Sequence, residues 1–281
     1  MATEIIIKRK SALSFGFEEL WQYRELLYFF TWKDIKVRYK QAFLGFLWTI
    51  IQPLFLVIVF VYFLGDTFIK DDTISMPKSI YYFSGLLFWN LFAQGVSASA
   101  NSMVSNANII KKIYFPRLII SISAVLTAAF DFLMTAIVFI VLVIYTNTQT
   151  NSFNIDWLEF LWSLTLGFVI TFAFTVSVGT LLAAINVKYR DVRYAIPFMI
   201  QTLFFLSPVI YTSTKISDPN IRLLYSSLPI NYAIELCRNS FLPTDQNPGI
   251  SMILVWCIIV IFIFFSIFVF RKVESYMADI I

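Results

Sequence analysis

Apolar residues in this chain do not alternate with polar ones; they run on. Residues 43–64 and 250–270 contain no charged side chain, and at about 1.5 Å per helical residue each run is long enough to cross a hydrocarbon core about 30 Å thick. Four further runs lie between them, at residues 80–104, 118–145, 157–185 and 195–211, the last short and carrying Pro197 and Pro208. The pattern predicts an all-α integral membrane protein with six transmembrane helices. An even number of spans leaves both termini on one side.

The first forty-two residues read as an interface region. Leu20, Tyr23, Leu27 and Phe30 recur at helical spacing opposite Glu18, Gln22 and Glu25, which predicts an amphipathic helix too polar to insert and lying along the inner surface. A second stripe sets Trp32, Ile35 and Tyr39 on one face and Lys33, Lys36 and Lys40 on another, just before the first span. That face reads either as a lipid-headgroup anchor or as a docking surface for a cytoplasmic partner.

Two loops carry more apolar residues than solvated linkers need. Between spans two and three, Asn106 or Asn108 is placed to cap a short helix that Pro116 stops, and Ile109, Ile110, Ile113, Tyr114 and Phe115 sit among Lys111, Lys112 and Arg117. A partner can pack on such a loop. Between spans five and six, residues 221–228 and 232–242 are semi-apolar but too short to cross, and Asp218 with Pro219, then Pro229 with Asn231, mark helix starts. Short outer helices of this kind read as re-entrant or interfacial elements. The domain layout is then one membrane domain: residues 1–42 at the cytoplasmic interface, 43–270 in six helices, and 271–281 as a cytoplasmic tail.

Composition sharpens this picture. Hydrophobic residues make up 59% of the chain and charged ones 14%, so lipid is the main solvent. Of the 21 Lys and Arg, counting by predicted side puts sixteen inside and five outside, which places both termini in the cytoplasm. The net charge of +4 is therefore a topology signal, and nucleic acid is not expected as a partner. The N-terminal basic segment lacks the apolar core of a cleaved signal, so the first span is expected to persist. Cys237 and Cys257 fall at different depths, which argues against a disulfide. The chain has no histidine and no cysteine cluster, so no metal is expected. Small residues crowd spans two (Gly95, Ser97, Ala98, Ser99, Ala100) and three (Ser121, Ser123, Ala124, Ala128, Ala129), predicting close helix packing. No internal repeat is visible, which argues against an inverted-repeat secondary transporter.

Few residues offer chemistry. Asp131 stands in span three, where a charge is costly; with no other acid and no lysine, arginine or histidine expected at its depth, it reads as a hydrogen-bonded or protonated structural residue before it reads as a proton relay. Glu235 and Arg238, three apart, read as a surface pair, or as lining a gate if their helix re-enters the membrane. The aromatic content of 19% exceeds what interface belts need. On spans one and five, Phe46, Trp48, Phe55, Tyr62, Phe198, Phe204, Phe205 and Tyr211 are candidates to stack against sugar rings. None of the eight glycines begins a GxxxxGK[ST] phosphate loop. The chain is not expected to be an enzyme, and if transport is ATP-driven the ATPase is a separate polypeptide docked on the cytoplasmic loops.

Three stretches carry a resemblance: TWKDIKVRYKQAFLGFLWTIIQPL at residues 31–54, NIIKKIYFPR at 108–117 and RDVRYAIPFMIQTLFFLSPVIY at 190–211. With the intervening topology, they resemble the membrane (permease) subunit of type-2 ABC transporters that export polysaccharides and teichoic acids. The resemblance implies that Asn108, Ile109, Ile110, Lys111, Lys112, Ile113, Tyr114 and Arg117 form a coupling helix seated on an ATP-binding subunit, with Arg190 and Asp191 at the second cytoplasmic turn. It implies two copies of the chain around a channel lined by spans one and five, two ATP-binding cassette subunits, and ATP with Mg held by those subunits and not by this chain. The short helices between spans five and six correspond to outer gate helices, with Glu235 and Arg238 on them. The implied substrate is a lipid-linked glycan or polyol-phosphate polymer moved across the bacterial inner (plasma) membrane. A type-2 exporter of drugs or lipids, a membrane glycosyltransferase and a proton-coupled transporter are the competing readings.

Overall fold

The computed structural model describes residues 17–40, 45, 47–64, 76–150, 155–189, 191–212, 216–241, 249–274 and 277. Among them the regular structure is all helical: α1 (Phe17–Gln22), α2 (Arg24–Lys40), α3 (Leu47–Val59, continued by a π-helical turn over Phe60–Leu64), α4 (Lys78–Ser105), α5 (Ala107–Ile110), α6 (Leu118–Thr150), α7 (Trp157–Lys188), α8 (Val192–Leu206), α9 (Pro219–Ser226), α10 (Pro229–Asn239) and α11 (Gly249–Glu274). α6, α7 and α11 are long and apolar enough to cross a membrane; α3 with its π turn and α8 are shorter apolar helices.

α4 is as long as the spans, at 28 residues, but carries too many amides and hydroxyls to pass as a lipid-facing helix. Most of its surface is enclosed by protein. α6 and α7 pack along it, α10 covers its first turns, and α3 and α8 flank it, so residues Ile80 to Trp89 are buried without interruption. Where α4 crosses α7, side chains shrink on both helices. A Cβ added to Gly95 would lie 2.5 Å from Thr175 Cγ2, and one added to Gly179 would lie 2.7 Å from Ser99. Ser99 and Ser121 share a hydrogen bond of 2.6 Å between α4 and α6, and Asn186 donates to the Ala100 carbonyl at 2.8 Å. This is close backbone approach through small residues, with most hydroxyls turned back onto their own helix, as in Thr127 to the Ser123 carbonyl and Thr175 to that of Thr171.

A second, smaller core closes one end of the bundle. Phe30 of α2, Ile110 and Phe115 of the connection after α5, Val187 at the end of α7, and Phe270, Val273 and Met277 at the end of the chain pack together there. The N-terminal helices and the end of α11 therefore lie at the same end of the molecule.

Four expectations are corrected. α2 does not lie flat beneath the bundle: it packs lengthwise on α6, because its apolar residues meet the second core first and Arg38 then reaches Asp131. Its aromatic and basic faces are not separate, since Lys36 Nζ stands 5.4 Å over the Trp32 ring and Lys33 Nζ 5.2 Å over Phe30. Asn106 precedes α5 without capping it; its amide donates to the Ser102 carbonyl and its oxygen accepts from Lys33 Nζ at 3.3 Å. α8 stops at Leu206, short of the expected 211, because Ser207 before Pro208 is held extended. The two short helices α9 and α10 begin where expected, at Pro219 and Pro229 in their first turns. Asp218 caps α9, accepting from Asn220 N at 2.9 Å. Both cysteines are free; burial pushes the Cys237 thiol up to about 12, leaving it an inert filler of the core.

The α4–α7 crossing gives the first prediction. Gly95→Val should lower the stability of the detergent-solubilised protein by about 1–3 kcal/mol, the range for overpacking a filled core, while Gly249→Ala, where nothing lies within 4 Å, should be neutral. Equal melting temperatures for the two variants would contradict the packing described.

Candidate functional site

At the closed end of the bundle the α5 connection forms a rigid, protruding knuckle. Ile110, Phe115 and Pro116 are buried in the second core, Phe30 packs against Phe115 at 5.8 Å between rings, and Arg117 donates to the Glu274 carbonyl at 2.6 Å. Between these anchors Asn108, Lys111, Lys112, Ile113 and Tyr114 face outward, with Ile113 63% and Tyr114 68% exposed; Ile109 is half-buried. Two exposed apolar residues flanked by two lysines make a surface suited to a partner with an apolar cleft and acidic rim. Ile110 thus differs from its neighbours: it holds the knuckle and does not display itself. The turn after α7 lies at the same end. Asp191 there is exposed, and Arg190 falls outside the described residues.

Arg38, Tyr39 and Asp131 connect this end to the interior. Asp131 of α6 is buried and accepts hydrogen bonds from the Arg38 guanidinium and the Tyr39 hydroxyl, so the expectation that no cation reaches its depth is wrong. Arg38 gets there because α2 climbs the side of α6. Tyr39 also meets Thr49 Oγ1 of α3 at 2.9 Å. Pro53 lacks the N–H that would otherwise take up the Thr49 carbonyl, and Thr135, one turn beyond Asp131, shares its hydroxyl hydrogen between the Asp131 carbonyl at 2.9 Å and that carbonyl at 3.4 Å. α2, the proline-containing α3 and α6 are thereby tied at one polar junction. Sequence reasoning missed Arg38, because a pairing across 93 residues leaves no trace in periodicity.

The aromatic candidates divide by helix face. Trp48, Phe55 and Tyr62 on α3 and its π turn, and Phe198 and Phe205 on α8, are exposed, Tyr62 to 81%. Phe204 faces inward, against Phe60 at 6.3 Å, Trp89 at 5.4 Å and Phe205 at 5.7 Å, and so joins α8 to α3 and α4. Tyr211 is half-buried and stacks on Tyr225; burial pushes the Tyr225 phenol above its ordinary range. Phe46 falls outside the described residues.

Arg238 of α10 is not a surface residue, which corrects the surface-pair expectation. It is 5% exposed, lies 3.5 Å over the Tyr81 ring, and donates to the carbonyls of Pro208 at 2.6 Å and Tyr81 at 3.0 Å and to Ser84 Oγ at 3.3 Å. Its charge is spread over backbone oxygens where α8 breaks and in the first turn of α4, so α10 is pinned to the ends of α4 and α8 away from the second core. Glu235, one turn earlier, is half-buried. Among the described residues no group of His, Cys, Asp and Glu is placed to hold a metal.

Residues 25–242 match the ABC-2 type transporter family, a span that includes all three stretches singled out in the sequence. An O-antigen export system permease protein of Klebsiella pneumoniae is 31% identical over 196 residues, covering 69% of this chain and 71% of that protein. Its counterpart in Myxococcus xanthus is 30% identical over 211 residues, covering 75% and 77%. A polysialic acid transport protein of Escherichia coli is 21% identical over 249 residues, covering 87% and 92%.

The polar junction supports a direct test. Arg38→Met should cost about 1–2 kcal/mol of stability, below the usual figure for breaking a buried pair because over a third of the Arg38 side chain is exposed. Adding Asp131→Leu should recover most of that loss, since the orphaned carboxylate is then gone. A double variant whose melting temperature falls by the sum of the two single shifts would show that the residues do not interact.

Proposed function

The chain belongs to the ABC-2 type transporter family, and we propose that it is the passage-forming membrane subunit of an ATP-driven exporter of a lipid-linked polysaccharide or polyol-phosphate polymer. The relatives, named for O-antigen and polysialic acid transport, support the polysaccharide; the polyol phosphate rests on the resemblance of the three sequence stretches alone. The observation that carries the reading is the knuckle: four exposed residues, Lys111 to Tyr114, held at both edges by buried anchors in the core that also seats α2 and the end of α11. A loop that served only to connect α4 to α6 would not need such anchoring.

In this reading α3, α4, α6, α7, α8 and α11 are the six spans, both termini are cytoplasmic in a bacterial inner (plasma) membrane, and α9 and α10 re-enter from the outer side as a gate. Two copies pair around a channel bordered by α3 and α8. Two ATP-binding cassette subunits, which carry ATP and Mg, seat the knuckle and the turn at Arg190 and Asp191. When they close on nucleotide, the knuckle is pushed. The push passes through Phe115 to Phe30 and along α2 to the Arg38, Tyr39 and Asp131 junction, where it reaches α3 beside Pro53. The exposed aromatic rings of α3 and α8 offer flat surfaces to sugar C–H faces, many and weak, as a sliding polymer requires. Arg238 keeps the outer ends of α4, α8 and α10 moving as one piece.

The knuckle separates coupling from folding. Ile113→Asp with Tyr114→Ala should leave the melting temperature of the chain within about 1 °C, as exposed substitutions do, while abolishing polymer export in cells and ATPase stimulation in the purified complex. Ile110→Asp should instead destabilise the chain itself. Normal export by the Ile113 and Tyr114 variant would overturn the coupling assignment.

A further inference from the structure

α4 is enclosed by protein except along one stripe, and that stripe is polar. Asn90, Ala93, Gln94, Ser97, Ala98 and Asn101 are its partly or fully exposed positions in the middle of the helix, with Gln94 the most open class. They recur three to four residues apart, so they share a single face. The opposite face is fixed by Gly95, which lies against Thr175 of α7. Gln52, exposed on α3, joins Asn90 and Gln94 around a cavity of about 20 Å³ that also touches Asp131 and Thr135. α8, which packs on α4 through Phe204, exposes Gln201 and Thr202 among its aromatics.

Amides have no place on a lipid-facing surface. Each leaves donors and an acceptor unpaired in hydrocarbon, at a cost of about 2 kcal/mol or more, and α11 shows what the lipid-facing alternative looks like, with Ile253, Val260, Ile261 and Phe264 outward. The open face of α4 therefore meets water, solute or protein.

We infer that Asn90 and Gln94, with Gln52 of the adjoining helix, form a contact lane for the hydroxyl groups of an uncharged glycan chain. This rests on the proposed function and narrows its substrate from any polymer to one without backbone phosphates. A carboxamide both donates and accepts, which matches a sugar hydroxyl and suits exchange from one residue of a polymer to the next. A phosphate backbone wants positive charge. Among the described residues, the interiors of α3, α4, α6 and α8 supply none beside Asn90 and Gln94: Lys78 and Arg193 sit in first turns, and the two cations of α2 that border the Ala98 end of the stripe are already paired, Arg38 with Asp131 and Lys33 with Asp34 and Asn106. Rings on α3 and α8 then stack on sugar faces while the floor between them takes the hydroxyls.

The test uses the chain assembled with its ATPase subunit in lipid vesicles. Asn90→Cys and Gln94→Cys are made in a Cys257→Ala parent, whose buried Cys237 supplies the blank, and labelled with a water-soluble methanethiosulfonate. Both cysteines should react, and Ile261→Cys on α11 should not. Maltoheptaose, a neutral oligosaccharide, should slow labelling about fivefold at several times a millimolar Kd, and a glycerol-phosphate oligomer of equal length should not. Cysteines that stay unreactive in the assembled complex would mean that lipid or the second copy covers the stripe, which overturns the inference. So would labelling that neither probe slows, or that the phosphate oligomer slows as well. Retention of the ATPase, measured on the same vesicles, reports separately on the proposed function.

Discussion

A carboxylate among apolar helices has to be paired, and Asp131 is paired to an element that also touches the loop where force is proposed to enter. Arg38 and Tyr39 end an α-helix whose Phe30 packs against Phe115, and their contact with Asp131 stops that helix from swinging free of α6. The same junction holds α3, since Tyr39 meets Thr49 and Thr135 meets the carbonyl that Pro53 leaves open. Unpairing any member leaves a buried polar group exposed to hydrocarbon. α2, α3 and α6 therefore keep a fixed relation, and a displacement at one end of α2 is felt at the other.

Around that junction the molecule separates two solvents. α11 and the outer sides of α6 and α7 display aliphatic side chains, as lipid requires. α4 is solvated by protein and can afford hydroxyls, glycines and amides, which is why its backbone comes so close to α7. The short helices α3 and α8 carry large rings outward beside that polar floor. An apolar wall next to amides is poorly matched to bulk lipid and well matched to a carbohydrate, whose rings have apolar faces and polar rims.

Much of this was legible in the sequence. Six apolar runs, the short outer helices with their proline starts, the anchored loop at Lys111 to Tyr114 and the lack of a phosphate-binding loop all follow from local pattern, because hydrophobic run length and capping are local physics. What was not legible is pairing between distant segments. Arg38 looked like one more interface cation and Asp131 like an isolated acid. Arg238 sits three residues from Glu235, the spacing of a solvated pair, and gave no sign that broken backbone at Pro208 would draw it inside. The amides Gln52, Asn90 and Gln94 did leave a signal, being polar residues at helical spacing within apolar runs, but the small residues beside them drew the reading toward packing alone.

The central claim is that this helical conduit works as a pair and takes its energy from another polypeptide. Native mass spectrometry of the complex drawn gently from its own membranes addresses it most directly. The account predicts a particle holding two copies of this chain and two copies of an ATP-hydrolysing subunit. A particle with a single copy and no ATPase, still competent for export once returned to vesicles, would contradict it.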